Sequence, residues 1–108
     1  MLFKIDFPCN IIAYVYSEPV TLNVVAEYTF VTTFYISSMF KKELGTSFVD
    51  YLNDIRIEKA KELSKDVKYK SYEVASLVGI QDPHYFSRLF KKHSGISPSE
   101  YRETQVIQ

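Results

Sequence analysis

One stretch of this chain occurs twice. Residues 35–51 (YISSMFKKELGTSFVDY) align with residues 85–101 (YFSRLFKKHSGISPSEY) at an offset of 50 without a gap. Eight of the 17 positions are identical, where unrelated segments would share about one. Upstream, Val25-Ala26 matches Val74-Ala75 at an offset of 49, a one-residue shift that belongs in a turn. Two copies are too few for a solenoid, and 108 residues are too short for two independent cores of ordinary size. The chain therefore reads as a single domain, residues 1–108, built on a duplicated unit.

Each copy has the pattern short helix, turn, longer helix. In the second, Ser71 starts a helix through Tyr72, Val74, Ala75 and Val78, and Gly79 is free to take the left-handed conformation that ends it. Asp82-Pro83 then supplies an N-cap acceptor and a proline at the first helical position, and the helix runs to Gly95. Ser97-Pro98-Ser99-Glu100 is a capping box that opens a last short helix. In the first copy Thr21 opens a helix with Leu22, Val25 and Ala26, and Thr32 or Thr33 caps one that runs to Gly45. Between the copies, Ser47 to about Ser64 reads as one long helix with Phe48, Tyr51, Leu52, Ile55, Ala60 and Leu63 near one stripe. On its wet face Glu58/Lys61 and Glu62/Lys65 are spaced to pair. Residues 10–16 add a first helix. No segment alternates as a strand, so the expected fold is all-α with about seven helices: a first unit over 10–45, a linker helix over 46–65 and a second unit over 70–102.

A small residue (Ala75) inside the first helix and a glycine (Gly79) in the turn make the second unit a helix-turn-helix. Its later helix must bury one face and leave the other for a DNA major groove. At 100° per residue, Phe86, Leu89 and Phe90 share one face while His84, Ser87, Arg88 and Lys91 share another. The first copy divides the same way, with Ile36, Met39 and Phe40 inward and Phe34, Ser37, Ser38 and Lys41 outward. The outward sets suit groove reading: arginine bridges guanine O6 and N7, serine bonds several edges, and an aromatic ring packs on a thymine methyl. Lys41 and Lys91, one turn further on, are placed for phosphates. In isolation the lysine pairs would be solvated faces, and Tyr35 and Tyr85 packing residues with wet hydroxyls. Duplication of a whole outward face favours recognition, because solubility alone does not require it.

Charge totals decide nothing. Thirteen basic and thirteen acidic side chains cancel, nine of each sign up to Lys70 and four of each after it. Neutrality counts against nucleic-acid binding unless the charges are unevenly placed. Other classes are easier to exclude. The longest apolar run, residues 11–16, is far short of the ~20 residues of a membrane span, and no secretory signal opens the chain. Cys9 is the single cysteine, so there is no internal disulfide, and a reducing cytoplasm fits best. No metal or cofactor is expected: His84 and His93 have no ligand-spaced Cys or carboxylate partners. Nor does any Ser/His/Asp or Cys/His constellation, phosphate-cradling loop or catalytic carboxylate pair suggest an enzyme.

These residues resemble a known family. SYEVASLVGIQDPHYFSRLFKKHSGISPSEYR (residues 71–102) is similar nearly throughout to the second helix-turn-helix of AraC/XylS-type transcription regulators. RIEKAKEL (residues 56–63) resembles the family's linker helix, and ISSMFKKELGTSFVDYLN its first motif and linker start. The resemblance covers about residues 10–102. It implies the C-terminal DNA-binding domain of a larger regulator, with two recognition helices entering successive major-groove segments on one side of double-stranded promoter DNA. Family base-reading positions fall on Phe34, Ser37 and Ser38 in the first copy. In the second they fall on His84, Ser87 and Arg88, with Gln81 just before the cap. RNA polymerase and an N-terminal sensory domain are the implied protein partners; a helical protein-interaction module is the alternative. The chain departs from the pattern at Phe30, where many members carry glycine or a polar residue, and at Val24, where an acidic residue is common.

Overall fold

Short polar side chains and left-handed residues set where each helix begins and ends. The computed structural model describes residues 6–107; the extremes of the expected 1–108 domain, residues 1–5 and 108, lie outside the described residues. Among those described there are seven α-helices and no strand, in accord with the all-α expectation. They are α1 (Asp6–Val15), α2 (Leu22–Thr29), α3 (Thr33–Met39), α4 (Phe48–Ser64), α5 (Ser71–Leu77), α6 (Pro83–Ser94) and α7 (Pro98–Ile107). None is long and apolar enough to cross a membrane. The first helix starts earlier than residue 10, the position its composition suggested.

The caps follow from residue chemistry. Thr21 Oγ1 accepts the Val24 N–H at 3.2 Å, Thr32 Oγ1 that of Tyr35 at 3.1 Å, and Ser47 Oγ that of Asp50 at 3.1 Å. Asp82 accepts the His84 N–H at 2.9 Å ahead of Pro83. The capping box that opens α7 is complete: Glu100 N–H donates to Ser97 Oγ at 3.2 Å, and Ser97 N–H to Glu100 Oε1 at 3.1 Å. Each such cap satisfies a backbone donor that the first turn leaves open. Ser71 is the first residue of α5, and Lys70 precedes it as the cap, its N–H donating to Glu73 Oε1 at 2.9 Å.

Contacts divide the chain into two compact units at Leu52/Asn53, inside α4. In the first, α1 packs on α2 and α2 on α3, and Ile12, Val25, Ile36 and Phe40 are fully buried. Phe40 meets Phe48 edge-on at 5.9 Å and Tyr51 at 5.3 Å between ring centroids. In the second, α5 packs on α6 and α6 on α7, around Val74, Val78, Phe86 and Phe90. Phe90 meets Tyr101 edge-on at 5.6 Å. Ile57 and Ala60 of α4 are also buried. Ile57 lies off the stripe read from the sequence, because α4 covers more than one face along its length.

Two differences separate the copies. At the end of α2, Phe30 stands where the other copy has Gly79, and both are left-handed, with φ of 59° and 91°. The turn demands that conformation in both copies. It lets the next N–H reach back five residues, Val31 to the Ala26 carbonyl at 3.3 Å and Ile80 to that of Ala75 at 2.9 Å. The second difference lies beyond α3. Residues Phe40–Leu44 form a π-helical turn, whereas the matching residues of α6 stay α-helical to Ser94. Ser94 Oγ sits 2.6 Å from the Phe90 carbonyl and 3.1 Å from that of Ile96, a tie that Leu44 has no hydroxyl to make.

A left-handed non-glycine residue costs roughly 1–2 kcal/mol, and the Phe30 side chain is 94% exposed, so its packing offsets little of this. Glycine there would relieve the strain and lose about 0.5–1 kcal/mol to a freer unfolded chain. Phe30→Gly should therefore stabilise the protein by about 0.5–1 kcal/mol, seen as a thermal midpoint a few degrees higher; a lower midpoint would contradict the strain.

Candidate nucleic-acid interface

In each unit the helix after the turn is oriented by what it buries. On α6 Phe86 and Phe90 are buried and Leu89 is half-buried. That leaves His84, Ser87, Arg88 and Lys91 exposed, as helical phase requires. On α3 and the turn that follows, Ile36, Met39 and Phe40 are buried and Phe34, Ser37, Ser38 and Lys41 are exposed. Gln81 is exposed immediately before the Asp82 cap. Each unit thus assembles its own predicted set on one solvated helix face. Ala75 and Ala26 are buried where their helices approach α6 and α3, the place for a small side chain.

The match between copies ends at the π-helical turn. A π turn is wider than an α turn, so beyond Lys41 the backbone departs from the course that α6 keeps beyond Lys91. Lys41, Lys42, Lys91 and Lys92 all remain exposed. Lys91 is close enough to Glu100 to help hold its carboxyl below the usual range, although hydrogen bonds from Ser97 are the main cause.

Sequence reasoning missed the side chains that brace α6. The Arg88 guanidinium lies 5.8 Å from the Tyr85 ring centroid, within cation–π range. Tyr85 also faces Arg56 of α4, whose pKa burial lowers and Tyr85 partly restores. Tyr85 is therefore more than a packing residue: its ring limits where Arg88 can point. His93, expected only as a surface residue, places Nδ1 3.1 Å from Asp54 Oδ1 and Nε2 2.8 Å from Glu58 Oε1. Carboxylates only accept, so a ring nitrogen that carries a proton donates to the carboxylate beside it and ties α6 to α4. Glu58 also pairs with Lys61 at 3.4 Å, as its spacing predicts. Glu62 lies 3.9 Å from Lys59, one turn before it, where the spacing predicted Lys65 one turn after it. None of the His93 contacts was legible, because their partners lie 35 and 39 residues away.

In the first unit, burial, followed by the Cys9 thiol beside it, pushes the Tyr51 hydroxyl up to about 12. Cys9 thus sits against a neutral phenol that packs on Phe40.

His93→Ala should lower stability by about 1 kcal/mol, since exposed ion pairs contribute little each. Acid should reveal the tie more clearly. The hydrogen bond from His93 is the main reason that the Glu58 carboxyl lies below its ordinary 4.5. Its contribution is present above that value and is lost as pH falls through the lower folded one. Urea midpoints measured between pH 7 and pH 3 should therefore fall more steeply for the wild type than for His93→Ala; parallel curves would remove Glu58 from the account.

A family model described as a helix-turn-helix domain matches residues 25–104. The HTH-type transcriptional regulator YijO of Escherichia coli is 41% identical over 87 residues, 81% of this chain and 31% of YijO. The C-terminal domain of AraT, a response regulator from Geobacillus stearothermophilus, superposes with a TM-score of 0.88 at 42% identity, covering 93% of this chain and 84% of that one. That of the two-component response regulator yesN from Fusobacterium nucleatum does so with a TM-score of 0.83 at 42% identity, covering 90% and 95%. This chain spans only a quarter to a third of the curated regulators it matches.

Proposed function

Since the chain belongs to the helix-turn-helix domain family, in its AraC-type form, we propose that it binds double-stranded promoter DNA sequence-specifically and regulates transcription. The observation that carries this reading is the repeated exposure of one helix face. Positions 34/84, 37/87, 38/88 and 41/91 are exposed after each turn, while 36/86 and 40/90 are buried. Each helix-turn-helix would enter its own major-groove segment, so one chain would do the work of a symmetric dimer on half-sites about one helical turn, roughly 34 Å, apart.

The chemistry differs by position. Arg88, flanked by Tyr85, is the side chain best suited to bridge O6 and N7 of a guanine. Ser87 accepts or donates to either edge, and His84 and Gln81, at the helix start, reach the neighbouring base pair or its phosphate. Lys41 and Lys91 contact phosphates and set register. With no net charge, non-specific affinity is weak, and discrimination rests on these few contacts. The remainder of a full regulator would supply a sensory or phosphoacceptor domain ahead of this one. RNA polymerase is the partner through which bound protein would act, and the cytoplasm the compartment.

Selection from random duplexes with the 108-residue chain should enrich one motif. On that motif Arg88→Ala should cost about 1–3 kcal/mol and relax preference at one base pair, with little loss on random DNA. Equal loss on both would make Arg88 a phosphate contact, and failure to enrich any motif would overturn sequence-specific reading.

A further inference from the structure

We propose that a second copy of this chain docks on the first unit: the groove beside α2 and the turn before α3 takes the α4–α5 loop of the neighbouring copy. The contact is head-to-tail, acidic apolar surface against basic apolar surface. The groove is lined by Asn23, Ala26, Glu27, Phe30, Val31 and Thr33 among others. None of these belongs to the outward set at 34, 37, 38 and 41, so the groove is distinct from the face proposed for DNA. Phe30 stands in it left-handed, at φ 59°, with its side chain 94% open to solvent. A ring kept at a cost in backbone strain, with little packing in its own chain to offset that cost, points to a contact outside the chain.

Charge selects the occupant. Residues 7–40 contain no lysine or arginine, and their charged side chains are Glu18 and Glu27. Glu27 lies in the groove, exposed and without an ion pair among the described residues. The whole first unit, residues 1–52, has five acidic side chains against three basic, whereas residues 53–108 have eight against ten. The segment 65–72 of the second unit has the character that the groove lacks. Lys65, Val67, Lys68, Lys70 and Tyr72 are exposed there, Val67 at 77% and Tyr72 at 59%. Its one acidic residue, Asp66, pairs with Lys68 at 3.7 Å and accepts the Lys68 N–H at 3.0 Å, which leaves Lys65 and Lys70 as net positive charge. The exposed lysines at 41, 42, 91 and 92 lie along the segments proposed for DNA, and this loop lies outside them. The complement is direct: an aliphatic side chain for the apolar wall, and an ammonium for the Glu27 carboxylate and the face of the Phe30 ring.

The patch offers a handful of residues a side, against the roughly 20–30 of a stable interface, so the contact is weak in free solution. It is also heterologous. Each end of a pair keeps one groove or one loop unfilled, and association continues past the dimer. Under the DNA-binding reading above, copies side by side on one duplex meet at about millimolar effective concentration, where a weak contact suffices.

Sedimentation equilibrium of the 108-residue chain without DNA tests the contact apart from that reading. Over a concentration series reaching the millimolar range, the average mass of the wild type should climb from 12.6 kDa past twice that value without levelling. Phe30→Gly, which suits the left-handed backbone, should stay monomeric while melting no lower than the wild type. Glu27→Lys and Lys65→Glu/Lys70→Glu should each stay monomeric alone, with unchanged circular dichroism. Mixed in equal amounts these two should associate, because the reversed charges face each other again. A wild type that remains monomeric gives the groove to some other partner and overturns the proposal. A mass that levels at the dimer, the sign of a symmetric interface, does the same, as does association that Phe30→Gly leaves intact or a mixture no heavier than its components.

Discussion

A buried phenylalanine in each helix-turn-helix unit sets which face its second helix can present to a partner. Phe40 and Phe90 are fully enclosed, and each rests against a tyrosine eleven residues on, Tyr51 at 5.3 Å and Tyr101 at 5.6 Å. A helix has one rotational degree of freedom about its axis, and burying a ring of this size removes it, because the alternative exposes a large apolar surface to water. Once Phe90 and Phe86 are inside, Ser87 and Arg88 must be outside. The outward face is thus a by-product of core packing, and the same rule acts on Ile36, Met39 and Phe40 in the first unit.

On this shared frame the copies have diverged in ways that matter chemically. The second unit keeps glycine at the left-handed position of its turn, an α-helical continuation tied by Ser94, and a long cation steadied by Tyr85. The first bears a strained, exposed phenylalanine at its turn, a π-helical continuation, and an outward face of one ring and two hydroxyls. Strain retained at an exposed position marks a place where stability alone did not choose the residue. The second unit is also cross-braced, with His93 holding carboxylates on α4 through both ring nitrogens. Such braces would serve the proposed recognition, since a base-reading side chain discriminates only as well as its backbone is held.

Net neutrality takes its meaning from this geometry. Lys41, Lys42, Lys91 and Lys92 are exposed along the recognition segments, while Asp54 and Glu58 are engaged by His93 and Glu100 by the Ser97 cap. Several of the acidic charges are thus committed to holding the fold. Equal totals say nothing of where each charge stands, which is why counting charges was uninformative.

Much was legible before any coordinates. The repeat, the caps at Thr21, Thr32, Asp82 and Ser97, the glycine stops and the inward and outward sets all depend on neighbours within one helical turn or on residue type, and both are written along the chain. The tertiary structure alone decided the π-helical turn after α3, the break between units inside α4, the burial of Ile57, and the partners of His93. These depend on which distant residues fold together, with His93 and its carboxylates separated by 35 and 39 positions. Periodicity reports the direction a side chain faces from its own helix; what stands opposite is settled only when helices pack.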